Sequence, residues 1–516
     1  MATIDSGARR GLVLGGVMAA MFLAAMESTV VATAMPTVIA SLGGIRIYSW
    51  TFSAFLLTST VSMPIWGRLA DHLGRRPAYL GGLALFLLGS ALAGFSRSME
   101  QLIAFRALQG LGAGSLITIG MTIIGDLYGM ERRAKMQGYF SSVWGMASLV
   151  GPLVGGLLTD RVSWRWVFYI NLPFGILAAA AIAVGLRDEA PEHSRGAFDV
   201  LGMAVFVAAI SAFLVGLVDA GAEESWARSS VLGLLALSGA LLVVFVFVER
   251  RVAEPMIPLR LFGNPIVRAA AVTGLLAGMA MFGAIAYVPL YLQSVTGASA
   301  TLSGWVLMPF VLGWVVFSIL AARLCLRIGY RPVVLTGMTA LVLAFVLLSG
   351  WNETLTAAVA ARDITLAGVG MGMIFVPMLI AVQSAVPRSL LGSATSLTSF
   401  FRTIGGAVGV AVMGAALTHR LERALAEMVA TAPEALRAQL QQLAAHPDLV
   451  VNPITRITLG SDLLAVMRPA LAHAVGGVFV VGLVVAAVAL LSGLLVPAGH
   501  AHDLAIPRDR ATRPDA

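Results

Sequence analysis

The sequence predicts an all-α polytopic membrane protein: two six-helix bundles with two additional linker helices, 14 transmembrane helices in all. Three observations lead there. Of 516 residues, 59% are hydrophobic and only 12% are charged, far too apolar for a soluble chain of this size. The apolar residues fall in runs of about 18–25, long enough to cross a bilayer as helices. Finally, Gly67-Arg-Leu-Ala-Asp-His-Leu-Gly-Arg-Arg-Pro77 recurs, degraded but in register, as Ala322-Arg-Leu-Cys-Leu-Arg-Ile-Gly-Tyr-Arg-Pro332. Each copy joins the second and third runs of its half, so one helical bundle is duplicated.

In chain order the runs lie at 11–34, 48–69, 78–96, 100–125, 136–158 and 166–186, then 199–219 and 229–249. They continue at 266–292, 302–325, 333–350, 358–386, 391–418 and 469–496. The first six make an N-terminal bundle (1–187). A linker (188–265) carries the two extra spans between polar stretches, the second with Pro255, Pro258 and Pro265. The last six make a C-terminal bundle (266–496), and 497–516 is a short charged tail. Most connections are short. The exception is the outer loop 418–468, whose Leu421–Ala445 part has helical apolar spacing and whose Val450–Thr458 part is β-branched. It is either a solvated excursion or a lid, with an envelope partner as a candidate.

The net charge of +8 is nearly all arginine, Lys135 being the only lysine. Its distribution follows topology rather than a nucleic-acid site. Arg9, Arg10, Arg68, Arg75, Arg76, Arg132, Arg133, Lys135, Arg250, Arg251, Arg327 and Arg331 all fall on one side. By the positive-inside rule that side is the cytoplasm, with both termini there and the chain multi-pass in the cell inner (plasma) membrane. The first run is read as a span rather than a cleaved leader, because Glu27 interrupts it. Cys325 is the single cysteine, so no internal disulfide exists. Trp164, Trp166, Trp50 and Trp351 fall at span ends and fit interfacial anchors.

A carboxylate inside a span is the rarest feature. Glu27 lies 17 residues beyond Arg10, about 25 Å along the first helix at about 1.5 Å per residue. An ionised carboxylate there is expensive, so Glu27 is expected to take up a proton readily. Such a group can couple proton movement to a conformational change; the competing reading is a structural glutamate bonded to a neighbouring helix. In the fourth span, Arg106 is about a turn and a half inside and needs acceptors. Gln109, carbonyls near the glycines and Glu27 are candidates, while Gly110 and Gly114 offer a small-residue face to a neighbour.

The fifth span holds Gly145, Gly151, Pro152, Gly155 and Gly156. Proline removes a backbone donor and bends the helix, and the glycines leave it flat, so it reads either as a seal between bundles or as plain packing. In the first connector Gly67 and Gly74 permit a tight turn, and Asp71 and Arg75 are spaced as an intrahelical pair. With Asp126 they read as a latch holding the inner ends together, against the alternative of a merely topogenic basic loop. Leu326 replaces the aspartate in the second copy, so the latch is one-sided. Met279, Met281 and Phe282, with Met371, Met373 and Phe375, line either an adaptable apolar pocket or a lipid face.

The sequence lacks HExxH, CxxC, GxSxG and the phosphate-binding GxxxxGK[ST] pattern. An enzyme is therefore not expected, and neither a metal nor a cofactor. No ATP-binding domain is present, which leaves an ion gradient as the energy source.

At these residues the chain resembles the 14-span drug:proton antiporter branch of the major facilitator superfamily. Met26-Glu-Ser-Thr-Val-Val-Ala-Thr-Ala-Met-Pro36 resembles the branch's span-1 motif. Gly67–Pro77 resembles the loop 2–3 motif, Leu102–Ala113 the span-4 motif with its arginine, and Gly151–Gly156 the span-5 motif of exporters. Trp164-Arg-Trp-Val-Phe-Tyr-Ile-Asn-Leu-Pro-Phe-Gly175 resembles the signature entering span 6. The resemblance implies a major facilitator fold and proton-coupled efflux of hydrophobic or cationic small molecules by alternating access. Glu27 stands where the family usually has aspartate, and His72 where a basic residue is common. Arg362 resembles a degenerate second copy of Arg106. Two rivals remain: a dedicated exporter of one lipid, siderophore, antibiotic or amino acid, and a polytopic enzyme or receptor.

Overall fold

The structure is a computed structural model that describes residues 7–42, 47, 50–128, 130–186, 199–222, 228–252, 254–298, 300–431, 437, 439–442 and 461–498. Among these residues the regular structure is entirely helical. The helices are α1 (Gly7–Leu42), α2 (Trp50–Leu73), α3 (Arg75–Phe95), α4 (Met99–Leu127) and α5 (Met130–Arg161). A short α6 (Trp166–Tyr169) leads into α7 (Asn171–Gly185), followed by α8 (Val200–Ala222) and α9 (Ser229–Glu249). The second half contains α10 (Pro265–Tyr291), α11 (Ala300–Ile328), α12 (Tyr330–Ser349), α13 (Ala357–Ala385), α14 (Leu391–Thr431) and α15 (Ser461–Gly493).

Every expected span coincides with one of these helices or with the α6–α7 pair. By length and composition, 12 described segments are apolar enough to cross a membrane. α2 and α5 are not among them; in α2 the charge-free stretch itself is diluted by Thr51, Ser53, Thr58, Ser59, Thr60, Ser62 and Pro64. α14 outruns its expected end at 418, continuing as helix to Thr431. The β-branched segment Val450–Thr458 lies outside the described residues.

The first-half helices pack on one another, with α4 against α2 and α3, and α1 against α5 and α7. In the second half α13 packs on α11 and α12, and α14 on α10 and α15. α8 and α9 form their own pair. The two halves meet where α2 lies on α14 and α5 on α11. Glycines set these distances. A Cβ at Gly110 would strike Thr58 and Phe55 of α2, and one at Gly112 would strike Phe86 of α3, so α4 is clasped from both sides. Gly145 of α5 brings its helix against Val311 and Val315 of α11. Gly151 and Gly155 are buried, whereas Gly156 faces open space.

Both connectors turn the same way. Gly74 precedes α3 with φ 98° and Gly329 precedes α12 with φ 86°, left-handed values that a side chain would strain. Two tryptophans depart from the anchoring expected of them. Trp351 is buried among Tyr291 and Phe479 and donates to Asp363 Oδ2 at 3.0 Å. Trp164 is buried against Phe168, while Trp166 is exposed.

Candidate functional site

Two polar clusters stand in the first half, and α4 contributes to both. Arg106 lies in the first and Asp126 in the second, 20 residues further on, or about 30 Å at about 1.5 Å per residue.

The first cluster is built around Glu27. Its side chain is 1% exposed and that of Arg106 is 0% exposed. Arg106 Nη1 donates to Glu27 Oε1 at 2.6 Å and to Gln109 Oε1 at 2.8 Å. Arg106 Nε donates to the Thr51 carbonyl at 3.3 Å, and the guanidinium lies 4.2 Å over the Phe55 ring. The second carboxylate oxygen, Oε2, accepts from Asn171 Nδ2 at 2.8 Å. Asn171 also donates to Ser90 Oγ at 2.9 Å, which itself donates to the Phe168 carbonyl at 2.8 Å. Side chains from α1, α3, α4 and α7 and a carbonyl from α2 therefore converge on one ion pair. Arg106 Nη2, Gln109 Nε2 and Asn171 Oδ1 remain buried without a partner among the described residues. A buried pair holds because each charge satisfies the other; removing one charge strands its partner at several kcal/mol. Protonating the carboxylate is such a removal, and the unpartnered donors are places to which the network can rearrange.

The second cluster sits at the connector end of the molecule. Asp71 is enclosed and accepts four hydrogen bonds. Arg75 Nη1 reaches Oδ1 at 2.5 Å, and the Gly392 amide reaches it at 2.9 Å. The amide and hydroxyl of Ser393 reach Oδ2 at 2.7 and 2.8 Å. Those amides belong to the first turn of α14, where N–H groups are unpaired within the helix and the dipole favours an anion. Asp71 therefore caps a helix of the other half. Arg75 Nε also holds Asp126 Oδ2 at 2.9 Å. Burial pushes the Asp71 carboxyl up, opposed by Arg75 and the Ser393 donors; burial disfavours charge on Arg75 too, but Asp71 and Asp126 more than offset it and raise its pKa. The approach is close: a Cβ at Gly67 would strike Ser396, and one at Gly392 would come within 2.6 Å of both the Gly67 carbonyl and Asp71 Oδ1. The linker adds Glu254, which meets Arg68 Nη2 at 3.3 Å and His72 Nδ1 at 3.6 Å.

The structure thus brings Glu27, Arg106 and Gln109 into one cluster and Asp71, Arg75 and Asp126 into another; Asp71 and Arg75 pair across the Gly74 turn rather than within one helix, and Gly67 lies inside α2, where it permits close approach instead of the expected turn. Sequence reasoning assigned no role to Asn171, Ser90, Thr51 or Phe55, nor to Gly392, Ser393 and Glu254. The small polar run Gly392-Ser-Ala-Thr-Ser396 opening α14 was the available signal for the cap. Arg362 does not repeat Arg106: its side chain is 67% exposed and pairs with the adjacent Asp363. Met281, Met371, Met373 and Phe375 are buried inside the second half, which removes the lipid-facing reading for these four.

An ion pair enclosed between packed apolar spans fits the transporter class. Comparison with known proteins gives the family. Residues 17–410 match the description Major Facilitator Superfamily, and the chain belongs to that superfamily. It is 36% identical over 438 residues to the multidrug transporter protein MdtP of Bacillus subtilis, covering 85% of this chain and 81% of that one. It is 31% identical over 484 residues to multidrug resistance protein 3 of the same organism, covering 93% of each. Among solved structures, the proton:xylose symporter XylE superposes with a TM-score of 0.56 at 12% identity, covering 92% of this chain and 94% of that one. That likeness concerns the fold alone. The chain is a multi-pass membrane transporter with the major facilitator fold, and not an enzyme.

Proposed function

We propose that the protein is a proton-coupled antiporter that exports hydrophobic small molecules across the cell inner membrane by alternating access. The observation that carries this is the enclosed Glu27–Arg106 pair, 2.6 Å apart and held by Gln109 and Asn171. The 31–36% identity to multidrug transporters over most of the chain supports the export of drug-like compounds. The cationic compounds also expected from the sequence would have to compete with Arg106 for Glu27.

With the connector end in the cytoplasm, the Asp71–α14 cap closes the cytoplasmic side in this state. Bilayer, proton gradient and substrate are then the only partners the cycle needs. A proton from outside neutralises Glu27 and leaves Arg106 as a buried cation. The several kcal/mol this costs is comparable with the few needed to reverse a two-state population. α4 carries the displacement from Arg106 to Asp126, where Arg75 ties it to the Asp71 latch. Opening of that latch exposes Glu27 to the cytoplasm, where the proton leaves and substrate is taken up.

Glu27→Gln, shaped like the protonated acid, should lose gradient-driven efflux in proteoliposomes at normal membrane levels. It should keep substrate exchange that needs no gradient. Full gradient-driven accumulation by this variant would refute the assignment.

A further inference from the structure

Arg402 is a second buried guanidinium, and the cycle above makes no use of it. It lies 11 residues into α14, about 17 Å from the connector end at about 1.5 Å per residue, and is 7% exposed. Among the described residues no carboxylate pairs with it. Its Nε has no hydrogen-bond partner, and its guanidinium lies 4.2 Å over the ring of Phe375 on α13. One turn earlier on α14, the Ser399 hydroxyl is also buried without a partner. Residues three apart on a helix are neighbours, so the two unsatisfied groups lie together. α13 is among the most enclosed spans, and Met371, one turn before Phe375, shares its face.

This arrangement is the reverse of the Glu27 cluster. There a cation is met by a carboxylate, an amide and a carbonyl. Here a cation is enclosed with an aromatic face and a neighbouring hydroxyl, and with nothing anionic among the described residues. Stacking on an aromatic ring compensates a buried guanidinium only in part, and such a charge in a span ordinarily has a partner. The missing partner is an acceptor that comes and goes.

Building on the exporter reading, we propose that Arg402 is the anchor of the substrate site and that the compounds it holds are amphipathic anions. A carboxylate or sulfonate would accept from Arg402 and Ser399, while the aromatic or aliphatic body packs on Phe375 and Met371. Arginine suits the role because its planar fork can donate twice to one carboxylate, which a lysine cannot match.

Carboxyfluorescein serves as the anionic probe and rhodamine 6G, a cationic ester of similar shape, as its counterpart. Fluorescence anisotropy on the purified full chain reads binding without any gradient. Arg402→Met should weaken carboxyfluorescein binding about tenfold or more while leaving rhodamine 6G within about twofold, and Arg402→Lys should fall between for the anion. The inference is overturned if wild type does not bind carboxyfluorescein, if Arg402→Met binds it equally well, or if both dyes are lost together. Should Arg402→Met fail to accumulate, Arg402→Lys decides: anion binding equal to wild type overturns it. Gradient-driven rhodamine 6G efflux by wild type, followed separately, tests the exporter reading without reference to Arg402.

Discussion

The two connectors share a turn and differ in a charge. Gly74 and Gly329 adopt nearly the same left-handed conformation, with φ 98° and 86°, and each launches the third helix of its half. Around the first, Asp71 caps α14, Arg75 bridges to Asp126, and Glu254 reaches Arg68. Around the second, Leu326 is half-buried, Arg327 is exposed, and no ion pair forms among the described residues. The spans repeat this asymmetry: Arg106 is paired with a carboxylate, whereas Arg402 is not among the described residues and Arg362 points outward. Duplication kept the backbone geometry that any such bundle needs. Around the connectors it kept the charged chemistry in one half only, and on the proposed reading that half switches while the other receives.

Breaking the better-partnered half should cost most. Arg106→Leu strands Glu27 among apolar neighbours, a loss on the order of 3–5 kcal/mol. It should appear as poor accumulation in the membrane and a lowered unfolding temperature in detergent, partly restored by adding Glu27→Gln. Normal stability of the single variant would mean that the pair contributes nothing net. Asp71→Asn keeps the shape of the cap but loses its charge, and charge-assisted bonds are roughly twice as strong as neutral ones. Turnover should fall several-fold with stability nearly intact. Cysteine labelling at position 396 should rise as the end opens, and unchanged labelling would demote Asp71 to a topological marker.

The mirror experiment adds what the second half lacks. No ion pair surrounds Leu326 among the described residues, so Leu326→Asp should change transport by less than about twofold. A strong effect would reveal a second latch formed elsewhere in the cycle. The shared turn supplies the smallest effect. Gly74→Ala and Gly329→Ala should each cost about 1–2 kcal/mol, and by similar amounts, because each forces a side chain into the left-handed region. Markedly unequal melting temperatures would show that one turn carries more than geometry. Within α5, Gly145→Val should jam against Val311 and Val315, whereas Gly156→Ala meets open space and should be silent.

Much of this was legible in the sequence because the bilayer leaves few choices. A run of apolar residues can only be a span, and an internal acid or arginine stands out against it. Glu27 and Arg106 were visible on those grounds, and Asp71 through the repeated connector. Their partners were not, since Asn171, Ser90 and Thr51 are ordinary polar residues until helix rotation aims them at one point. That rotation follows from packing against neighbours, here from Gly110 and Gly112, rather than from hydropathy. The Asp71 cap joins residues more than 300 positions apart, beyond the reach of any local pattern. Trp351 misled because a span-end tryptophan usually faces the interface, whereas this one is covered by Tyr291 and Phe479.

The central claim is that Glu27 carries the coupled proton. The direct measurement is proton release when substrate is added to purified protein in weakly buffered detergent solution. Wild type should acidify the medium and Glu27→Gln should not, although both bind the compound. Equal proton release from the two proteins, or none from wild type at any starting pH, would contradict the assignment.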